Sequence, residues 1–534
     1  MNHATVSKSN IMLVGTASSV GKSVLCTALC RVLCDDGLRV VPFKAQNMSL
    51  NSAVTPSGRE IGRAQALQAA ACRTVPTEHM NPVLLKPQSG MSSQVVVQGV
   101  VHSTQTAKSY FANDKAELWK AIVDSFQVVS AEADVVVLEG AGSPVELNLK
   151  ARDVANFRSA EMADAAVLLV VDVDRGGVFA AALGTLWLLS EKERSRVKGI
   201  LVNRFRGDPS LFTDGVRILE DMSGLPVLGV IPYVPDLELD EEDSVSLDNP
   251  RYRPAATKER TLRIAIVRLP HLANFTDFDP LFSHPLASTA FVTNKAQVAS
   301  ADVVILPGSK STLEDLAWLN ERGLADAIRE RAAAGSTVFG ICGGFQMLGQ
   351  EVVDRAGVES SRLKMDGLGL LPLVTEWSVT KRTVQVCGEA LGRNKGLPLQ
   401  GYEIHMGITR KVSACESFAL VRDRRGEEPV HEEGASVENG RICGTYLHGV
   451  FDSSEFLNAF LETARERAFG TGEGEGEGEG RLSSWSDTVF TGSREERLNA
   501  EIDRMAAVFR SSVDMSKLYE VCGLLRLGNL SPSE

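Results

Sequence analysis

The chain has 534 residues, which at about 150 per domain points to three or four domains, or to two large ones with a tail. Hydrophobic residues make up 44% and charged residues 23%, a balance that excludes wholesale disorder, a collagen-like repeat and a disulfide-stapled miniprotein. Lys and Arg number 56 against 68 Asp and Glu, and the resulting charge of −12 repels phosphate backbones and anionic lipid. Neither nucleic acid nor a membrane is therefore expected as a partner. The longest apolar run, 165–171, falls far short of the roughly 18–20 residues that cross a bilayer. The first residues carry no basic segment followed by an apolar signal core. Nine cysteines, none in a CxxC pair, read as reduced thiols, and a cytoplasmic location is expected.

From the start, short apolar runs alternate with helix-length stretches. Strands are expected at 10–14, 40–43, 135–138, 167–171, 199–202 and 227–231, the rhythm of a parallel sheet covered on both faces. The first strand runs into Gly15-Thr16-Ala17-Ser18-Ser19-Val20-Gly21-Lys22-Ser23 and then a helix. Glycines let backbone N–H groups turn around phosphate oxygens, Lys22 suits the β/γ-phosphates, and the Ser23 hydroxyl suits Mg²⁺. Five residues separate Gly15 from the Gly-Lys pair where four are usual, which resembles the dethiobiotin-synthetase-like branch of P-loop enzymes. Cys26, Cys30 and Cys34 follow at helical spacing and read as core-facing side chains. Later strand ends deliver Glu139 and Asp174 as Mg²⁺ partners, and Asn203 as a reader of an adenine edge. In open α/β sheets such strand ends converge on one crevice.

The acidic stretch 235–254 reads as a surface linker, giving a first domain over 1–255. A second α/β domain, 256–455, opens with strands at 262–268, 303–306 and 337–341. The last of these leads into Gly340-Ile341-Cys342-Gly343-Gly344, a strand, a sharp turn carrying a thiol, then a helix. A nucleophile on such an elbow stands clear at a strand end, with the thiolate as the attacking form. Gly308, after another strand, and Gly343 are placed to give backbone N–H groups to an oxyanion. His448, in Gly444-Thr445-Tyr446-Leu447-His448-Gly449, reads as the base and acid. Residues 456–534 form an extension, with a Glu-Gly run at 473–480 too polar to fold and a helical segment over 493–525.

The elbow with its downstream histidine resembles class I glutamine amidotransferases, and its union with a dethiobiotin-synthetase-like domain resembles the corrinoid amidases. The segments Phe43-Lys44-Ala45-Gln46-Asn47-Met48-Ser49-Leu50-Asn51, Asp172-Val173-Asp174-Arg175-Gly176-Gly177, Asn274-Phe275-Thr276-Asp277-Phe278-Asp279-Pro280-Leu281 and Tyr402-Glu403-Ile404-His405-Met406-Gly407 are similar to the cobyric acid synthase family over residues 10–455. The resemblance implies two parallel-sheet α/β domains, ATP, Mg²⁺ and glutamine as reactants, and a corrinoid substrate. It further implies four amidations of adenosylcobyrinic acid a,c-diamide through an acyl phosphate and a cysteinyl thioester. Lys44, Asn47, Arg175 and His405 stand as substrate-side residues. Rival readings are an amidase acting on the a and c side chains and, more distantly, a partitioning-type ATPase. Where most class I glutaminases carry a Glu two residues after the histidine, this chain has Val450, and Asp452 stands as the residue that orients His448.

Overall fold

The strand Ile11–Gly15 is apolar and wholly buried, and it lies at the middle of the first sheet. The strands run in the order Val227–Pro232, Val197–Phe205, Ala166–Asp172, Ile11–Gly15, Val135–Glu139 and Val40–Phe43, all paired in parallel. A strand covered on both faces must be apolar at successive rather than alternate positions, and Leu168, Leu169, Val170 and Val171 are all fully buried. All six expected strands are present; 40–43 has the expected ends, and the other five differ by one to three residues at one end or both. The computed structural model describes residues 9–88, 92–112, 115–240, 252, 260–360, 362–470 and 492–527. The Glu-Gly run lies outside the described residues, as does most of the 235–254 stretch.

A second parallel sheet follows, ordered Ala287–Val292, Leu262–Val267, Val303–Leu306, Thr337–Ile341 and Ile442–Thr445, with Ala435–Val437 added antiparallel at one edge. Four further sheets among the described residues lie outside the expected pattern, two of them only two-stranded. Gln46–Met48, Val83–Gln88, Ser92–Val97 and Val100–Thr106 form a four-stranded sheet between the second and third strands of the first domain. In the second domain, Leu373–Ala390 and Pro398–Lys411 form a long antiparallel pair.

The C-terminal segments pack on both halves. The helix Ser454–Phe469 buries Phe456, Leu457, Phe460 and Leu461 in the second core. The helix Arg494–Ser512 returns to the first domain. Its stripe of Ile502, Met505, Ala506 and Phe509, spaced i, i+3, i+4, i+7, seals one core with Leu25, Leu29 and Val32 of the helix Lys22–Asp35. Arg31, almost fully buried, donates to Asn499 Oδ1 at 2.5 Å and lies 3.4 Å from Asp503. Cys26 and Cys30 are buried in the same core, while Cys34 is half-buried. The beginning of the expected linker is not a loose surface connection, because Leu239 is buried there. Tyr252 is also buried, edge-on to Phe275, Phe282 and Phe291 of the second domain. No helix among the described residues is long and apolar enough to cross a membrane.

Candidate active sites

The loop after Ile11–Gly15 bends back beneath the sheet's carboxyl edge. Thr16 N–H donates to the Val170 carbonyl at 3.1 Å, and Lys22 Nζ donates to the carbonyls of Ala17 and Gly142 at 3.0 Å each. Gly21 has φ +95°, and a Cβ there would stand 2.2 Å from Asn203 Nδ2, so no other residue fits the turn. Asn203 in turn donates to the Val20 carbonyl at 2.9 Å, tying the loop to a neighbouring strand end. Ser23 Oγ donates to Glu139 Oε1 at 2.8 Å, and the same carboxylate takes Lys44 Nζ at 2.9 Å and Gln68 Nε2 at 2.6 Å. Burial pushes the Glu139 carboxyl up, but Lys44, Gln68 and Ser23 outweigh it and hold the group below the usual range, ionised. Lys22, Ser23, Lys44, Asn47, Glu139 and Asn203 all line one cavity of about 780 Å³. The Ser23–Glu139 pair offers hard oxygen donors beside the phosphate loop, the kind of set that Mg²⁺ uses together with phosphate oxygens and water.

Two expected members stand elsewhere. Asp174 does not line this cavity; it is exposed and accepts from Arg206 Nε at 2.6 Å. Arg175 is largely exposed, 3.5 Å from Asp172. Glu139 is therefore the strand-end acid that reaches the loop.

In the second domain Cys342 adopts φ 50°, ψ −109°, a backbone state costly for a residue with a Cβ. The elbow is held by close packing, since a Cβ on Gly344 would lie 2.0 Å from the Leu306 carbonyl oxygen. Gly308 also faces the pair, because a Cβ there would meet His448 Cε1 at 3.3 Å and Cys342 Cβ at 3.8 Å. A Cβ on Gly343 would meet Ser309 N at 2.8 Å, so the two expected oxyanion donors belong to loops in contact. His448 is buried and lines the same cavity as Cys342, whose Sγ donates to the Ile404 carbonyl at 3.5 Å.

The imidazole's orienting partner is Asp277. Its Oδ2 lies 2.6 Å from His448 Nδ1, and its Oδ1 accepts from Gly449 N–H at 3.2 Å. Asp452 does not play this part, for it faces Arg494 at 3.2 Å. Burial alone would push the His448 imidazole down, but Asp277 and then Cys342 raise it to about 10. His405 stacks on Tyr446 with centroids 3.7 Å apart and lines the cavity that contains Cys342, not the phosphate cavity. Lys310 and Glu359, 3.6 Å apart, line the same space, as does Lys381.

The two sites meet across one segment. Gln46–Met48 lines the phosphate cavity, and a few residues later Ser52 N–H donates to Asn274 Oδ1 at 2.8 Å. Asn274 sits in the left-handed region, and its Nδ2 is 3.4 Å from both ring nitrogens of His448. Tyr402 stacks on the His448 ring and donates to the Ser52 carbonyl at 3.1 Å, while buried Arg63 donates to its hydroxyl. Lys86 of the first domain lines the thiol cavity, paired with Glu60 at 2.6 Å.

Comparison with known proteins agrees with this two-part geometry. Residues 11–247 match a CobQ/CobB/MinD/ParA nucleotide binding domain, and residues 263–456 match a CobB/CobQ-like glutamine amidotransferase domain. A cobyric acid synthase of Salmonella agona is 45% identical over 518 residues, spanning 96% of this chain and 98% of the relative. The chain belongs to the cobyric acid synthase family. Another such relative, from Photorhabdus laumondii, is 44% identical over 528 residues, 98% of this chain and 99% of its own. As a cobyric acid synthase family member the chain is an ATP- and glutamine-dependent amidoligase of cobalamin biosynthesis. The domain that carries Cys342 is its glutamine amidotransferase part, and the domain that carries Lys22 is its nucleotide-binding part. A solved glutamine amidotransferase covers 38% of this chain and 98% of its own at 19% identity and a TM-score of 0.29, too slight a likeness to add to the argument.

Proposed function

We propose that the chain amidates the b, d, e and g side-chain carboxylates of adenosylcobyrinic acid a,c-diamide, giving adenosylcobyric acid. The observation that carries this reading is the segment 46–54, which lines the phosphate cavity at one end and at the other bonds Asn274 and Tyr402, the residues that lie against His448. A thiol hydrolase and a phosphate site built back to back suit an enzyme that frees nitrogen in one place and installs it in the next. The cytoplasm, where ATP and glutamine are plentiful, is the location this chemistry fits.

In the glutaminase half, Cys342 Sγ attacks the carboxamide carbon of glutamine. Backbone N–H groups of Gly308 and Gly343 receive the oxyanion. Imidazolium His448, held by Asp277, gives its proton to the departing nitrogen, so ammonia leaves and a thioester remains. The neutral imidazole then takes a proton from water, whose oxygen attacks the thioester and releases glutamate and the thiol. Lys310, Lys381 and Glu359 present charges of both signs, suited to the α-carboxylate and α-ammonium of glutamine. His405 walls the same pocket.

In the ligase half, a substrate carboxylate oxygen attacks the γ-phosphorus of ATP, ADP departs, and the acyl phosphate forms. Phosphate is a good leaving group where a carboxylate oxygen is not, so ammonia displaces it to give the amide. Lys22 and the loop N–H groups stabilise charge on the transferring oxygens. Mg²⁺ would be held by Ser23 and Glu139 and would neutralise phosphate charge. Asn203 stands beside the loop on the nucleoside side, while Lys44 and Asn47 face the acceptor. Mass spectrometry of products formed from the a,c-diamide with ATP and glutamine tests the reading. Four successive one-dalton losses, each an OH exchanged for NH₂, are expected. Turnover of cobyrinic acid but not of its a,c-diamide would transfer the chain to the rival amidase reaction.

A further inference from the structure

The lining of the phosphate cavity includes two unlike sets of side chains. One is basic, with Lys44, Lys115 and Arg152 on its lining, and suits a substrate rich in carboxylates. The other comprises Tyr233, Val234, Pro235, Leu237 and Leu239, together with Met505 of the C-terminal helix. An apolar slot that opens beside a triphosphate loop has the chemistry of a nucleobase pocket, a flat ring between apolar walls.

The helix Arg494–Ser512 also grips the loop that forms this slot. Arg504 donates to the carbonyls of Pro235 at 2.7 Å and Asp236 at 3.3 Å. Glu501 accepts from Glu238 N–H at 3.1 Å, and Arg494 donates to both oxygens of Asp240 at 2.6 Å. On its other side the helix is fastened to the phosphate-loop helix, where Arg510 donates to Asp36 at 2.7 Å and to the Val32 carbonyl at 3.1 Å.

We propose that the helix Arg494–Ser512 is part of the nucleotide site, with Met505 packing against the nucleobase and Arg504 and Glu501 fixing the 235–240 loop as the rest of the base wall. The C-terminal segment is then a binding element of the ligase half although it follows the glutaminase domain in sequence. This inference rests on the reading of the cavity as the ATP site.

The test uses the full-length protein and two probes, ATP and inorganic tripolyphosphate, which carries the phosphates without a base. Met505→Ala should weaken ATP binding measured by calorimetry, and raise the ATP KM of ammonium-driven amidation, by about tenfold. Tripolyphosphate affinity should stay within about twofold of the parent, and Met505→Leu should restore ATP binding. Arg504→Ala removes a largely exposed anchor without opening the core, and should weaken ATP but not tripolyphosphate by about threefold. Equal weakening of both probes, or of neither, overturns the inference. Lys22→Ala tests the underlying reading separately: it should lose both probes, and undiminished ATP binding there would overturn the nucleotide assignment itself.

Discussion

At the scale of single residues, the glutaminase turns on one buried contact. Asp277 and His448 are both almost fully buried, and the 2.6 Å bond between them fixes which ring nitrogen faces Asp277 and which is left for the sulfur. The same contact raises the imidazole to about 10, so the proton needed by the departing nitrogen is in place throughout the neutral range. Asp277→Asn keeps the shape and removes the charge. The expected result is a fall in glutaminase kcat of about 10²–10⁴-fold. The sign of the pH effect follows from the cause: a carboxylate that raises the imidazole, once removed, lets it fall. The alkaline limb of the remaining activity should therefore move to lower pH, while ammonium-driven amidation is kept. An unshifted limb in a pH–rate profile would show that Asp277 does not set the imidazole's charge.

At the scale of elements, the elbow is a strand, one strained residue and a short helix, pressed against the neighbouring strand at Gly344. Because a Cβ there meets backbone at 2.0 Å, Gly344→Ala must push the helix away from Val303–Leu306 and carry Cys342 with it. A displacement on the order of 1 Å costs about 10²-fold in rate, and overpacking costs about 1–3 kcal/mol in stability. Glutamine turnover and thermal unfolding together check this; full activity would mean that the elbow tolerates the shift. The elbow and the phosphate loop are legible in sequence because each is a local pattern, with its strand, turn glycines and helix contiguous. Asp277 is not, since 171 positions separate it from His448, and nearness along the chain pointed instead to Asp452. The place of Asp174 outside the phosphate cavity is hidden for a related reason: a strand-end acid is expected near the crevice, but only packing decides whether Arg206 pairs with it. The four-stranded sheet is hard to read from sequence because its apolar runs, 83–85 and 95–97, have only three residues each, Val100–Thr106 is exposed or half-exposed throughout, and Gln46–Met48 is three residues long. The apolar stripe of Arg494–Ser512 announces that the helix packs on something, but not that its seat is the helix after the phosphate loop.

For the whole molecule, the issue is whether two chemistries in one chain can be separated. On the proposed reading the thiol reacts only with glutamine, whereas Lys22 lies in the cavity proposed to carry every amidation, whatever the source of nitrogen. Removing each should therefore give different patterns. Cys342→Ala is expected to lose glutamine-dependent product by at least about 10³-fold while keeping synthesis from added ammonium, because the ligase needs only the amine. Lys22→Ala should fail with both nitrogen sources by about 10²-fold or more, since Lys22 is the loop's own cation for offsetting the transferring charge. The two domains touch at Asn274, Ser52 and Tyr402 without sharing a catalytic group, so neither substitution has a direct path to the other centre. Parallel assays with glutamine and with ammonium, each followed by product mass, read both variants. Loss of ammonium-driven synthesis in a folded Cys342→Ala protein would mean that the sulfur also serves the ligase, and the division of labour between the halves would fall.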